Sequence, residues 1–111
     1  MATYETVLDA LGDPTRRRIV DALRRGPASV ADVAAVLPVS RPAVSQHLRV
    51  LRDCGLVDFE SAGTRNLYRL KPDGLAELQA WLDGFWGAAL DSFERHARDK
   101  AAKSKARKGK R

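Results

Sequence analysis

The sequence predicts a mainly α-helical fold with one small β-hairpin, on three observations. Five stretches carry apolar residues at spacings of three and four between recognisable capping residues. One stretch, LVDFESAGTRNLYRLK at 56–71, switches to a two-residue period either side of a glycine. Two of the helical stretches are separated by a turn so short that they must form a tight corner.

The first helix covers about Thr3 to Leu11, with Tyr4, Val7, Leu8 and Leu11 on one stripe and Gly12 closing it. Asp13 can accept bonds from free backbone NH groups and Pro14 suits a first turn, so a second helix restarts there. It runs to about Arg25 with Ile19, Val20 and Leu23 facing inward, and Gly26 and Pro27 end it. Ser29, followed three positions later by Asp32, forms a variant of the capping box before the apolar positions Val30, Val33, Val36 and Leu37. Pro38 stops that third helix. After the turn Pro38–Ser40, Ser40 caps a fourth helix that continues to about Cys54, where Gly55 suits a left-handed exit. The third and fourth helices together read as a helix-turn-helix.

In the hairpin, Val57, Phe59 and Ser61 precede a turn containing Gly63, and Leu67, Tyr68 and Leu70 follow it. Pro72, Asp73 and Gly74 open a last helix reaching about Arg98, along which Leu75, Leu78, Leu82, Phe85, Ala89 and Phe93 recur at helical spacing. Trp81, Trp86 and Leu90 widen its apolar surface. From Asp99 onward Lys, Ala, Ser and Gly dominate, the composition of a flexible basic tail. The expected organisation is a folded domain at 1–98 and a tail at 99–111.

A chain of 111 residues fits one domain, and at this size folding buries roughly 60 to 70% of the unfolded surface. Such a modest core leaves little to cover an apolar face on a long helix, so a second copy of the chain is its natural partner. The net charge of +6 suggests nucleic acid, but all of it lies in the tail, where Asp99 is the lone acid among seven basic residues. Residues 1–98 are balanced, so the arrangement of particular arginines has to carry the argument. The single cysteine, Cys54, excludes an intrachain disulfide and suits a reducing cytoplasm. The N-terminal stretch lacks a basic segment followed by a continuous apolar run, so no secretory signal is expected. No apolar stretch approaches the roughly 20 residues of a membrane span. The expected location is cytoplasmic.

On the fourth helix, Val44, Leu48 and Leu51 form a seam that fixes it to the domain, and Arg41, Ser45, Arg49 and Arg52, joined by Gln46, form the opposite face. Arginine can donate two bonds to guanine, glutamine can pair with adenine, and serine can reach base or phosphate. Ser40 and the helix start favour a nearby phosphate, while Pro42 stiffens the first turn or touches a thymine methyl. A plain solvated face is the rival reading. The short turn, the hairpin that follows and the absence of any acidic residue between Ser40 and Arg52 favour DNA. In the hairpin, Arg65 beside Gly63 would suit a minor groove, with Arg69 and Lys71 nearer the backbone. Their plainer reading is solubilising charge.

DPTRRRIVDAL, SRPAVSQHLRVLRDCGLV and GTRNLYRL together resemble the ArsR family of winged helix-turn-helix repressors, a likeness spanning residues 5 to about 95. The resemblance implies a winged helix-turn-helix that acts as a homodimeric, bacterial transcriptional repressor on a palindromic double-stranded operator. Two recognition helices would then enter successive major grooves roughly 34 Å apart. It implies dimerisation through the first and last helices, for which Tyr4, Val7, Leu8, Leu11, Leu78, Trp81, Leu82, Phe85, Trp86 and Phe93 are the candidate residues. Packing within one chain could absorb part of these stripes.

Many family members carry a cysteine pair in the helix before the recognition helix, where a metal weakens DNA affinity. Here that stretch is SVADVAAVLPVS, with neither cysteine nor histidine. A second family site uses the last helix, and the matching positions read Asp83, Phe85, His96 and Asp99, with Phe85 replacing a principal ligand. A closed zinc site usually needs four placed ligands, so no metal and no cofactor are expected. His96 reads as a solvated residue, His47 as a hydrogen-bonded packing residue, and Cys54 as a buried inert thiol rather than a redox switch. Trp81, Phe85 and Trp86 read first as core and second as the lining of a pocket for a small-molecule inducer. An enzyme is disfavoured because no nucleophile, base and orienting group form a set. A nucleoid-type DNA-binding protein with little sequence preference, driven by the tail, is the remaining alternative, beside a metal- or ligand-responsive sensor.

Overall fold

Every helix start that the sequence marks with a capping residue is a helix start in the structure, a computed structural model that describes residues 3–108, with side chains through Lys103. The elements are α1 (Tyr4–Leu11), α2 (Pro14–Leu23), α3 (Val30–Val36), α4 (Arg41–Asp53), β1 (Val57–Ala62), β2 (Arg65–Leu70) and α5 (Pro72–Lys108). Thr3 caps α1 reciprocally with Thr6. Asp13 caps α2 by accepting from the Thr15 and Arg16 amides at 2.7 and 3.1 Å. Ser29 and Asp32 cap α3 by exchanging bonds between side chain and backbone, each 3.1 Å long. Arg16 then ties α2 back to α1, its Nε donating to the Ala10 carbonyl at 2.6 Å while Arg17 donates to the Leu11 carbonyl at 2.7 Å. Both bonds satisfy carbonyls at the end of α1 that have no partner inside the helix.

Ser40 caps α4, its hydroxyl accepting from the Ala43 amide at 3.3 Å. The other end closes as a Schellman turn: the Leu56 amide donates to the Leu51 carbonyl and the Gly55 amide to the Arg52 carbonyl, both at 3.0 Å. Gly55 supplies the left-handed residue this needs, at φ 85°. β1 and β2 pair antiparallel, Val57 with Leu70 and Phe59 with Tyr68, across a two-residue turn of Gly63 and Thr64. Gly63 takes φ 66° at the first turn position, as hairpin turns of the primed kind require.

Residues up to Gln79 form one compact unit and those from Ala80 a second, so α5 begins in the first. In the first unit Val7, Ile19, Val33, Val44, Leu48, Leu51, Leu56 and Val57 are fully buried and make a core to which α1, α2, α3, α4 and β1 all contribute. Leu70 and Leu78 pack against it with partial exposure. In the second unit Trp81 stacks on Phe85 at 5.6 Å and Phe85 meets Trp86 edge-on at 5.5 Å.

Four expectations are corrected. Val7 is wholly buried in its own chain and Leu78 lies against the same core, so Val7 has no surface left to give a dimer and Leu78 has little. Val36 is 68% exposed, because steps of three along a helix drift by about 60° each and carry it off the face that Val33 buries. The turn before α4 begins at Leu37, which leaves the helix at φ −119°, ψ 146°, since a residue preceding proline is pushed out of the helical region. Helical backbone continues past Arg98 to Lys108. Alanine, lysine and arginine are all strong helix formers, and Arg98 meets Glu94 one turn back at 3.6 Å. The remainder of the expected tail, 109–111, lies outside the described residues.

The cap at Asp13 gives the fold a pH dependence. Backbone donation from Arg16 is the chief cause holding this carboxyl below its ordinary value; burial opposes it as the next largest effect, and the Thr15 amide and the charges of Arg16 and His47 add to the lowering. A depressed folded pKa stabilises the protein above the unfolded value of about 3.9 and is lost as pH falls through the folded one. Asp13→Ala is therefore expected to lower the melting temperature by a few degrees at pH 7. That deficit should shrink toward zero as the pH falls below about 4. A deficit equally large at pH 3 would contradict the assignment.

Candidate nucleic-acid interface

Helix α4 is anchored along the seam the sequence marks: Val44, Leu48 and Leu51 have no measurable exposure. That burial fixes the rotation of the helix, and rotation decides which residues face water. Arg41, Pro42, Ser45, Gln46, Arg49 and Arg52 are all exposed, with Ser40 exposed at the cap. No acidic residue lies in the first turn. His47 is half-buried beside the seam, and its charge is one of the influences on Asp13.

The hairpin brings a second group to the start of this helix. A concavity of about 400 Å³ lies between Ser29–Ala31 on one side, Arg41 and Ser45 of α4, and Thr64–Asn66 of the wing. Arg41 and Arg65 therefore face one space from two elements. Arg65 also helps to depress the Asp32 carboxyl, after the larger effect of the hydrogen bonds from Ser29. Among the described residues Arg41, Arg49 and Arg65 form no ion pair, which leaves three guanidinium groups free for an anionic ligand. Thr64 and Asn66 join the concavity although the sequence reading passed over them. Their position on either side of Arg65 at a hairpin turn was the available signal.

Two arginines named with these are already engaged. The Arg69 Nε donates to Asp58 at 2.9 Å, with a second contact to Glu60 at 3.5 Å. The Asp58 bond and charge, with Glu60 behind them, push the guanidinium pKa further up. The Arg52 guanidinium lies 4.4 Å from the centre of the Phe59 ring, which joins the last turn of α4 to β1. Exposed ion pairs and cation–π contacts are weak, so neither arginine is locked in place. The Arg69 contacts tie β2 to β1, and the Arg52 contact ties the wing to α4.

Cys54 is 6% exposed and its Sγ donates to the Leu51 carbonyl at 3.2 Å, while burial pushes the thiol pKa up. Both effects disfavour the reactive thiolate. Asp83, His96 and Asp99 are exposed, and among the described residues no three acidic, histidine or cysteine side chains cluster as metal ligands would. Of the residues named for a dimer, Leu8 is 39% exposed, Phe85 52%, Trp86 56% and Phe93 69%, so these aromatics are not core within one chain. Tyr4, Leu11, Trp81 and Leu82 are half-buried. No helix among the described residues is long and apolar enough to cross a membrane.

Residues 13–58 match the profile of bacterial regulatory proteins of the arsR family. The chain is 51% identical over 96 residues to the HTH-type transcriptional regulator Rv2034 of Mycobacterium tuberculosis, covering 84% of this chain and 90% of that one. Among solved structures it is similar to a possible transcriptional regulator for arsenical resistance, at TM-score 0.68 and 46% identity over 80% of this chain and 93% of the other. It is also similar to the homodimeric winged helix-turn-helix DNA-binding domain of Mb0332 from Mycobacterium bovis, a possible ArsR-family transcriptional regulator. There the TM-score is 0.61 and the identity 29%, over 75% of this chain and 77% of the other.

Proposed function

The chain belongs to the arsR family of bacterial regulatory proteins, which are DNA-binding transcriptional regulators rather than enzymes, and on that premise we propose that it is a cytoplasmic repressor binding a palindromic operator as a homodimer. The observation that carries this reading is the two-sidedness of α4. One face buries Val44, Leu48 and Leu51, and the other leaves Arg41, Ser45, Gln46 and Arg49 in water. Arg49, mid-helix and unpaired among the described residues, reads a base edge, with guanine its natural partner. Ser40, Arg41, Pro42 and Ser45 set the helix start against the backbone, and Arg65 enters the adjoining minor groove. Arg52 and Arg69 brace the wing and contact phosphates once DNA displaces their present partners.

The homodimer is supported by the exposed aromatic cluster of the second unit, by Tyr4, Leu8 and Leu11 of α1, and by the homodimeric state of the Mb0332 domain. Metal independence is supported by the composition of the α3 stretch, which holds no cysteine or histidine, and by Phe85 at a position where the family's other site has a ligand.

The test begins with enrichment of a bound sequence from a random duplex pool. Arg49→Ala should then weaken binding to the enriched duplex by about 1 to 3 kcal/mol and to a scrambled duplex by much less. Equal losses on both would remove the base-reading role from Arg49.

A further inference from the structure

Two facts about the C-terminal part of α5 do not follow from the winged domain. All of the net positive charge lies from Asp99 onward, yet that segment is helical to Lys108 rather than a loose chain. Along the second unit, one helical face reads Leu82, Phe85, Ala89, Phe93, His96, Lys100 and Lys103 at spacings of three and four. The stripe is apolar as far as Phe93 and basic or titratable beyond it. His96, Lys100 and Lys103 are exposed, and among the described residues neither lysine has an ion-pair partner.

From these observations, and resting on the reading that the protein binds DNA, we infer that the helical segment from His96 onward is a second DNA-binding element, one that holds the phosphate backbone without reading bases. The chemistry singles out nucleic acid among polyanions. Beyond Phe93 the segment ERHARDKAAKSKARK has alanine as its only apolar residue. A helix lying on a membrane needs a bulky apolar face to bury, and a protein interface centres on Trp, Tyr or Arg anchors set in packed, desolvated pockets, for which this segment has no Phe, Tyr or Trp and no surrounding apolar surface. Lysines spaced by alanines offer neither. They do offer compact, strongly hydrated charges that neutralise phosphates with little regard to sequence. Each protomer of a dimer would bring one such arm, so the contribution is doubled.

The experiment uses the full chain carrying Lys100→Gln and Lys103→Gln together, glutamine being a comparable helix former. Affinity is measured from low to moderate salt on the duplex enriched from a random pool and on its scrambled counterpart. Both affinities should fall, by about tenfold at low salt. The slope of log affinity against log salt should become shallower by about two to four, the value for two arms each losing one or two phosphate contacts. The ratio between the two duplexes should stay constant, and Lys100→Arg with Lys103→Arg should restore both affinities. An unchanged slope, or a changed ratio between the duplexes, overturns the inference. So does loss of binding to vesicles rich in phosphatidylglycerol with duplex binding intact. Failure of the wild-type chain to enrich any sequence would instead overturn the reading on which the inference rests.

Discussion

Leu48→Ala is expected to destabilise the protein by about 2 to 5 kcal/mol, a large part of the total for a domain of this size. Leu48 lies at the middle of the buried seam of α4 and has no measurable exposure, and the core around it draws on four helices and a strand. Removing its branched end leaves a void that the surrounding core cluster can close only by moving whole helices. Because the same seam sets the rotation of α4, the loss should also widen the angular spread of Arg41, Ser45 and Arg49 on its exposed face. Urea unfolding at fixed protein concentration, which matters for a dimer, should show a lower midpoint at unchanged slope. A loss below about 1 kcal/mol would mean that the site collapses freely and that the seam does not fix the helix.

The second large effect is expected at Gly74, in the first turn of α5. It is buried, and a Cβ there would overlap the Gly55 carbonyl oxygen, lie 2.7 Å from the Gly55 carbonyl carbon and press on the Leu56 Cα at 3.1 Å. The obstacle is backbone on the Schellman turn that ends α4, so no side chain can swing aside. Lys71 already donates to the Leu56 carbonyl at 2.8 Å and holds the two segments together. Gly74→Val should therefore cost about 3 kcal/mol or more and disturb the exit of α4. Gly84, which has open space around its would-be Cβ, is the control: Gly84→Ala should be neutral or stabilising by up to about 1 kcal/mol. If calorimetry gave the two variants equal melting temperatures, close backbone packing at Gly74 would be ruled out.

The parts of this molecule governed by local rules were legible in the sequence. Asp13, Ser29, Ser40 and Gly55 act on amides and carbonyls within a few residues of themselves, so the caps and the seam of α4 follow from residue type and spacing alone. Properties set by distant neighbours were harder to read. Val7 and Val36 both occupy apolar helical positions, but the first meets the core and the second meets water, and only the packing of whole helices decides between them. Arg52 and Arg69 were legible as cations, whereas their engagement with Phe59, Asp58 and Glu60 depends on strand register and on where α4 ends. The helicity beyond Arg98 was written in the propensities of alanine and lysine, but the same composition also reads as disorder.

Ala28, just ahead of α3, forms a β-bridge with Tyr68 of the wing, the amide of each donating to the carbonyl of the other at 3.0 and 2.8 Å. The chain from Ala28 to Tyr68 is thereby stitched into a loop closed at its two ends, containing both helices of the helix-turn-helix and most of the hairpin. Such a loop is a natural unit of exchange. A segment exchanged with breakpoints just outside Ala28 and Tyr68 would keep both bridge partners together with Arg41, Ser45, Gln46, Arg49 and Arg65, whereas Arg69 and the helix from His96 onward would stay with the recipient chain.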